Sequence, residues 1–295
     1  MEREGFGFSL KPTRQLRRRK VVNLLMEALM LTAALAAVAV LVLLVSSVVS
    51  RGHGALTNDF FTKGPTTDFL GTGGGIANSI VGTVVIVGCA AVFSLPLGIL
   101  IAIYTSEFAA REVRRFVGFV LDVLNGLPSI VIGIFIFGLL VLGHTQSALA
   151  GGVALAVIML PLVARSTQEV LALVPESLRE ASFALGVSRW RTVLGVILPT
   201  SFGGILTGAT LAIARAAGET APLLFTCALT TTQTSWDPRQ ALQSIPLTIF
   251  QDLEQPDPAL HSQAWAAALV LMSFVLVVSV LSKLVLARSR RKLSR

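Results

Sequence analysis

The sequence predicts an all-α membrane protein with about six transmembrane helices. Hydrophobic residues make up 54% of its 295 residues, charged residues only 14%, and the mean hydropathy is +0.78. A soluble domain with a single core does not have this balance. The apolar residues gather in runs of about 20, the length that an α-helix needs to cross a hydrocarbon core of about 30 Å. The six runs lie near residues 26–49, 77–104, 116–142, 147–164, 203–226 and 264–286, the fourth being the shortest.

Basic residues divide the loops into two groups, and this division predicts the orientation in the membrane. Loops one, three and five hold only Arg51, Lys63 and Arg239, whereas the remaining loops and both ends are rich in arginine and lysine. Positively charged loops stay in the cytoplasm. We therefore expect both termini and loops two and four on the cytoplasmic side. The net charge of +8 then follows from membrane topology, and we expect no nucleic-acid partner.

The first apolar run follows a basic segment, as the core of a signal peptide also does. It is longer than such a core, which has about 7–15 residues, and it ends in no clear small-x-small cleavage site. We expect an uncleaved first span. The chain then divides into a basic cytoplasmic N-terminus at 1–21, a first transmembrane helix with its outer loop at 22–75, a membrane core at 76–286 and a basic cytoplasmic tail at 287–295.

The sequence lacks the motifs of catalysis and of metal binding. It has no Gly-x-x-x-x-Gly-Lys-Ser/Thr pattern, and thus no phosphate-cradling loop for ATP. His53, His144 and His261 lie far apart in predicted outer loops, without cysteine or carboxylate residues at metal-ligand spacing. A nucleophile with a neighbouring base is not visible. We expect a non-catalytic chain with no cofactor or metal of its own.

Residues 175–199 have the pattern of a helix, a glycine and a second helix between two spans. Pro175 suits a first helical turn, where its missing N–H costs nothing. Apolar residues that include Ala181 and Leu185 then recur on one face. Gly186 can adopt the left-handed conformation that ends the first helix. Such an amphipathic helix either docks into the groove of a partner or lies at the lipid headgroups.

This segment resembles the coupling loop of ABC importer permeases. The family pattern is Glu-Ala-Ala, a glycine and then Ile-x-Leu-Pro at fixed spacing. The matching residues here are Glu180, Ala181, Ser182, Gly186 and Pro199, with Ser182 in place of the second alanine. The resemblance implies type I importer architecture, in which a cytoplasmic loop at about 165–199 contacts a subunit that hydrolyses ATP. The predicted orientation agrees, because a coupling helix outside the cell could meet no ATPase.

Two charged residues lie inside the fifth apolar run. Arg215 falls near its middle, and Glu219 follows one helical turn later, about 6 Å along the axis. A charge near the bilayer centre costs on the order of 2.5–3.5 kcal/mol, so neither side chain is expected to face lipid. The two residues either form a structural pair that fixes helix packing or face a substrate pathway.

Three further stretches resemble PstA-type phosphate permeases. They are residues 73–83 on the second run, 124–133 on the third and 215–222 on the fifth. Together with the coupling loop they cover most of the chain in one consistent order. For each stretch alone the alternative is packing, with Pro128 as a kink and Gly82 or Gly133 as a close helix contact.

The resemblance implies one half of a two-permease pore that imports inorganic phosphate across the inner membrane of a prokaryote. The implied partners are a homologous second permease, ATP-binding subunits that hold ATP and Mg²⁺, an extracytoplasmic phosphate-binding protein and membrane lipid. Arg215 would offer its planar fork to the oxyanion, while Glu219 would keep binding weak enough for release. A lone arginine does not distinguish phosphate from sulfate or molybdate, so an ABC permease for another oxyanion is the nearer alternative. A secondary transporter or a membrane signalling subunit that works without an ATPase is the farther one. A secondary transporter would be expected to show an internal repeat, and the sequence has no convincing one.

Three more features have two interpretations each. Arg165, after Pro161 in the fourth run, is a second cation of the substrate pathway or an anchor at the cytoplasmic surface. The glycines at 73–75 form an anion-binding nest or a flexible turn. Residues 244–250 predict a short helix in the outer loop, which covers the pore mouth, contacts a binding protein or forms a plain surface lid.

Overall fold

The computed structural model describes residues 14–65, 74–229 and 231–293 of the chain. Every regular element in these ranges is a helix, which confirms the predicted all-α class. The chain divides into two compact units, residues 1–50 and 51–295. Helix α1, Arg14–Gly52, supplies the described part of the first unit and is long and apolar enough to cross a membrane.

The second unit contains the remaining helices, and three of its connections are short π-helical turns. A π-helical turn extends α3 over Tyr104–Phe108, another extends α5 over Phe137–Val141, and a third joins α8 to α9 over Val193–Ile197. The helices are α2 (Asn58–Thr62), α3 (Ala77–Ile103), α4 (Arg111–Gly126), α5 (Ser129–Ile136), α6 (Ala148–Ala172), α7 (Glu176–Ala184), α8 (Arg189–Thr192), α9 (Leu198–Ala217), α10 (Leu223–Thr226), α11 (Ile245–Glu254) and α12 (Pro258–Leu293).

Five helical segments of the described ranges are candidate membrane spans, and one pair of helices joined by a sharp bend is long and apolar enough to form a sixth. The halves are α4 and α5 with its π-helical turn, and they meet at an angle of 97°. The predicted number of six spans is confirmed if this pair counts as one. We call the side that carries the connection at 173–188 the near side, and the opposite side the far side.

The prediction of one continuous helix over 116–142 is wrong. Leu127 has the extended backbone (φ −69°, ψ 135°) that a residue before proline favours. Pro128 is also extended, with ψ 132°, and α5 begins only after it. The proline therefore breaks the span instead of kinking it. Pro96 and Pro161, by contrast, lie within continuous helices.

The fourth and fifth spans also differ from the predicted limits. Helix α6 is not short: it continues from Ala148 to Ala172, well past residue 164, and Arg165 and Gln168 of its near-side end bond to neighbouring segments of the chain. The fifth helical segment covers Arg189–Ala217 instead of 203–226. It starts earlier because α8 continues into α9. It ends earlier because the chain turns at Gly218–Pro222.

The core of the second unit forms where α3, α6 and α9 meet. Ile86 of α3, Leu155 of α6 and Ala212 of α9 are fully buried in one apolar cluster. At Gly152 the helices approach so closely that a Cβ atom would lie 2.5 Å from the Cβ of Cys89. Small residues allow this approach, as they do in other membrane helix interfaces.

Cys227 closes the far-side end of this core. Its side chain is fully buried, and its sulfur lies so near Gly151 that a side chain at that glycine would collide with it. Burial raises the pKa of the Cys227 thiol to about 12. The thiol therefore stays protonated at neutral pH.

The predicted short helix of the long loop is confirmed as α11, which is tied to the beginning of α3. The backbone N–H of Ile245 donates to the hydroxyl of Thr83 at 2.8 Å, and the hydroxyls of Ser79 and Thr248 are 2.6 Å apart. Gly82 lies directly against the carbonyl of Gln243. This part of the 73–83 stretch therefore serves as packing surface for the far-side loop.

Of the three glycines at 73–75, the structure describes the last two. Gly73 lies outside the described residues. The N–H of Gly75 donates to the carbonyl of Gly64 at 3.0 Å, so it is engaged by the chain itself. A side chain at Gly75 would also collide with the carbonyls of Asp59, Phe60 and Lys63, in and directly after α2. At Gly75 the observed geometry is that of a close-packed turn.

Asp252 on α11 gives the fold a predicted pH dependence. Burial raises the pKa of this carboxyl from 3.8 to about 7, and its Oδ2 atom is buried without a hydrogen-bond partner. Between about pH 4 and pH 7 the folded chain thus holds a proton that the unfolded chain has released. Stability should fall as pH rises through this window and level off above it. Asp252→Asn should flatten the profile and raise the melting temperature at pH 8.

Thermal unfolding of the purified chain in detergent between pH 5 and pH 8 measures this effect. Glu254→Gln is the matched control, because Glu254 is an exposed carboxylate on the same helix. A wild-type profile that Asp252→Asn leaves unchanged would contradict the assignment.

Candidate functional site

A small polar cavity lies at the break between α4 and α5. It has a volume of about 80 Å³, enough for a small ion or a few waters. The break, the middle of α6 and the end of α9 all contribute to it. Its lining residues are Leu124, Asn125, Leu127, Ser129, Ile132, Ile158, Arg215 and Glu219. Two stretches that the sequence singled out separately, 124–133 and 215–222, therefore meet in one site.

Arg215 and Glu219 form a loose pair in this cavity. The Nε atom of Arg215 is 3.7 Å from the Oε1 atom of Glu219, longer than a hydrogen bond. The Arg215 side chain is 57% exposed and that of Glu219 18%. The sequence predicts that Arg215 lies near the middle of its helix, but it lies in the last turn of α9. Glu219 lies beyond the end of that helix. The Arg215 guanidinium thus lies near the Glu219 carboxylate without forming a hydrogen bond to it.

A glycine contact fixes the two stretches against each other. Gly133 of α5 lies against Pro222 so closely that a Cβ atom there would be 2.6 Å from the proline Cα atom. The close contact that the packing alternative assigns to Gly133 is therefore present, with the turn before α10 as its partner. Without it, the turn that carries Glu219 could not approach the broken span at its present distance.

Arg165 lies on α6, outside the Arg215 cavity. Its Nη2 atom donates to Asp122 at 2.5 Å and to the carbonyl of Gly118 at 2.7 Å. Its Nη1 atom donates to Gln168 at 3.1 Å. These bonds attach the near-side half of the broken span to α6. The structure therefore does not bring Arg165 together with Arg215.

The connection at 173–188 has the predicted helix-glycine geometry. Helix α7 begins after Pro175, and Gly186 ends it with φ +75°, the left-handed region that favours glycine. The N–H of Val187 donates to the carbonyl of Ser182 at 3.2 Å, which closes the turn. The connection between the helices is shorter than the expected 165–199, because α6 and α8 extend into both ends of that range.

The residues of the coupling pattern divide into an exposed and a buried set. Glu180, Ala181 and Gly186 are exposed on the surface of the connection, and Pro199 is exposed in the first turn of α9. Ser182 is buried, and its hydroxyl is 2.8 Å from that of Thr192 at the start of the fifth span. The serine that replaces the family alanine thus forms a hydrogen bond across the turn.

A buried ion pair attaches α7 to the rest of the near side, and the sequence did not predict it. Arg179 of α7 donates to Glu107 at 3.0 Å, and these side chains are only 14% and 12% exposed. Arg179 also donates to the carbonyls of Leu171 and Val174. Burial alone would lower the pKa of Arg179, but its bonds to Glu107 and its attraction to Glu107 and Glu176 raise it overall. Arg179 therefore stays charged at any physiological pH.

A second, larger cavity opens beside this ion pair on the near side. Its volume is about 680 Å³, and its walls come from the turn after α3, from α4, α6, α7 and α8. The charged residues that line it are Glu107, Arg114, Arg165, Glu176, Arg179 and Arg189. It shares no lining residue with the Arg215 cavity.

The fold and the site define a membrane permease of the type I ABC importer architecture. A family profile described as binding-protein-dependent transport system inner membrane component matches residues 94–291. The chain belongs to this family. Among solved structures, an alginate ABC transporter in complex with its periplasmic protein shares the fold with a TM-score of 0.62 at 14% identity, over 91% of this chain and 96% of the other. The MetNI methionine ABC transporter gives a TM-score of 0.57 at 18% identity over 72% and 94%.

Relatives with higher sequence identity carry more specific names. The phosphate transport system permease protein PstA 1 of Mycobacterium tuberculosis is 36% identical over 94% of this chain and 92% of its own length. The phosphate transport system permease protein PstA of Yersinia pestis is 38% identical over 85% of each chain. The protein of the same name from Haemophilus influenzae is 35% identical over 90% and 94%. The resemblance to PstA-type permeases is thus confirmed over nearly the whole chain.

The contact between Gly133 and Pro222 yields a stability prediction. Gly133→Ala should lower stability by about 1–3 kcal/mol, the usual cost of overpacking a close contact. Gly138→Ala is the control, because a Cβ atom at Gly138 meets nothing within 4 Å. Thermal unfolding of both variants in detergent measures the difference, and equal melting temperatures would contradict the contact.

The two glutamates that face Arg179 yield a second prediction. Glu107→Ala leaves a buried charge without its main partner and should cost about 3–5 kcal/mol. Glu176→Ala removes a partner whose side chain is 72% exposed and should cost about 0–1 kcal/mol. Chemical denaturation of the two variants compares these losses directly. Similar losses for both would show that the Glu107 pair does not anchor α7.

Proposed function

We propose that this chain is the non-catalytic transmembrane permease subunit of an ATP-driven importer that moves inorganic phosphate into the cytoplasm. The observation that carries the proposal is the polar cavity at the broken span, where Arg215 and Glu219 meet Asn125 and Ser129. Membership of the importer family and the names of the PstA relatives support phosphate as the substrate.

The chemistry of this cavity suits a transient oxyanion site. Arg215 carries a permanent charge and a planar fork of N–H donors that matches phosphate. Asn125 and Ser129 lie within the same lining and can add neutral hydrogen bonds. Glu219 repels the bound anion and attracts the guanidinium once the anion has left. Binding is therefore weak enough for the ion to be released, as conduction requires.

The near-side connection is the proposed attachment point of the ATP-binding subunits. Glu180, Ala181 and Gly186 are exposed there beside apolar side chains, of which Leu185 is 83% and Trp190 57% exposed. An exposed apolar patch with a polar rim is typical of a protein interface. The ATP-binding subunits would hold ATP and Mg²⁺, so this chain needs no cofactor of its own.

The assembly that we propose contains a homologous second permease and an extracytoplasmic phosphate-binding protein. The near side and both termini then face the cytoplasm, as the positive-inside rule predicts. The far-side loop with α11 faces the binding protein. Closure of the ATP-binding subunits would move α7, which the Arg179–Glu107 pair attaches to the end of the second span.

Uptake of labelled phosphate into vesicles tests the substrate and the role of Arg215. The vesicles hold this chain with its candidate partner subunits, and ATP is supplied on the cytoplasmic side. Arg215→Ala should reduce uptake about a hundredfold, because Arg215 is the one cation in the described lining of this cavity. Arg215→Lys keeps the charge but loses the fork, so it should retain part of the uptake.

Arg239→Ala is the matched control, because Arg239 is an exposed arginine of the far-side loop. Wild-type uptake by Arg215→Ala would show that the Arg215–Glu219 pair is structural only. Sulfate and molybdate serve as competitors. Assembled complexes that take up one of these ions and not phosphate would refute the substrate.

A further inference from the structure

We propose that the large near-side cavity is a second anion site, which binds a phosphate group through Arg114 and Arg189. The group belongs either to inorganic phosphate or to the headgroup of an anionic lipid. The site is separate from the Arg215 cavity, since no residue lines both. Its volume of about 680 Å³ exceeds what a phosphate ion needs and leaves room for a headgroup or for hydrating water.

The four arginines of this cavity differ in how far the chain already occupies them. Arg179 bonds to two glutamates and to two backbone carbonyls. Arg165 bonds to Asp122, Gln168 and the carbonyl of Gly118. Their forks are committed to holding α6, α7 and α4 together. These two residues build the wall of the cavity and are not the ligands that we propose.

Arg114 and Arg189 retain most of their donors. Arg114 of α4 gives two hydrogen bonds, to the carbonyls of Thr105 at 2.7 Å and of Ser106 at 3.2 Å. Arg189 of α8 gives one long bond of 3.4 Å to the next carbonyl, that of Glu107. A guanidinium has five N–H donors, so three and four donors respectively remain for a ligand. Both side chains are exposed and line the cavity.

The two arginines come from different helices and converge on one turn. Their acceptors are three consecutive carbonyls, at residues 105, 106 and 107, near the end of the π-helical turn after α3. Both guanidinium groups therefore bond to the same turn, and both line the cavity. Two planar forks at one place match a tetrahedral phosphate group, which can accept from both at once.

The charge around the cavity also favours an anion. The charge of Arg165 is balanced by that of Asp122, and the charge of Arg179 is balanced by that of Glu107. Glu176, which also pairs with Arg179, is then one surplus negative charge. Arg114 and Arg189 add two positive charges against that one surplus negative charge. The excess carboxylate is Glu176, whose side chain is 72% exposed and therefore well screened by water. The buried carboxylate, Glu107, is fully engaged by Arg179. The positive potential is thus centred on the two arginines with free donors.

Binding of labelled phosphate to the full-length chain, purified with its co-purifying subunits, tests this site. The chain carries Arg215→Ala, so that the cavity at the broken span does not contribute. It is reconstituted in nanodiscs of phosphatidylcholine, and equilibrium dialysis is carried out without ATP. We expect saturable binding, and the double variant Arg114→Gln with Arg189→Gln should weaken it at least about tenfold. No transport is measured, so the result is independent of the uptake assay.

The control exchanges two neighbouring arginines, Arg115→Gln and Arg191→Gln, which do not line the cavity. It has the same loss of charge and should bind like the parent. A second variant, Arg114→Lys with Arg189→Lys, keeps both charges and should bind with intermediate affinity. This variant keeps the test decisive if the glutamine variant does not fold.

A lipid source is distinguished by a second arm with phosphatidylglycerol added to the nanodiscs. If the occupant is a headgroup, the dialysis shows no binding of free phosphate. Phosphatidylglycerol then raises the melting temperature of the parent and of the control variant, but it does not raise that of the glutamine variant. Either pattern supports the site. Absence of both effects, or their full retention in the glutamine variant, overturns it and leaves Arg114 and Arg189 as caps of the turn.

Discussion

The need to satisfy backbone polar groups inside a membrane constrains this structure more than any other factor. A chain in hydrocarbon can leave its helical conformation only where protein or a water-filled cavity surrounds the break. Here the chain breaks at Leu127 and Pro128 and turns by 97°. The polar cavity at the break, the contact of Gly133 with Pro222, and the bonds from Arg165 to Asp122 and Gly118 all surround or brace this point. The position of Arg215 follows from that arrangement.

The near side depends on a comparable element, the ion pair of Arg179 with Glu107. Both side chains are almost buried, which is tolerable only because Arg179 makes three further hydrogen bonds, to Glu176 and to the carbonyls of Leu171 and Val174. The pair attaches α7 to the end of the second span, while Arg114 attaches α4 to the same turn. A shift of α7 is therefore resisted by α3, α4 and α6 together. Since α4 leads directly to the break, both functional regions share one set of supports.

The sequence predicted those features that depend on local pattern. Hydropathy located the spans, the spacing of apolar residues and Gly186 located the turn after α7, and Pro246 with its flanking residues located α11. The break at Pro128 was underestimated, because proline within an apolar run can kink a helix or end it, as Pro96 and Pro161 show by contrast. Asn125 and Arg215 line the same cavity because helices that are distant in sequence pack together, which local pattern does not predict. The pairing of Glu107 with Arg179 also depends on packing between distant segments. The signal for it in the sequence is a lone carboxylate before a loop rich in arginine.

The burial of Cys227 has a practical consequence for experiments on motion. The chain has two cysteines. The Cys227 thiol has a pKa of about 12 and no solvent exposure, so alkylating reagents will not modify it in the folded protein. Cys89 is partly covered, with its Cβ atom against Gly152 of α6. A cysteine placed on an exposed position of the near-side connection would therefore react far faster than either native thiol. Spectroscopic labels can be attached there without first replacing Cys227, whose removal would leave a hole in the core.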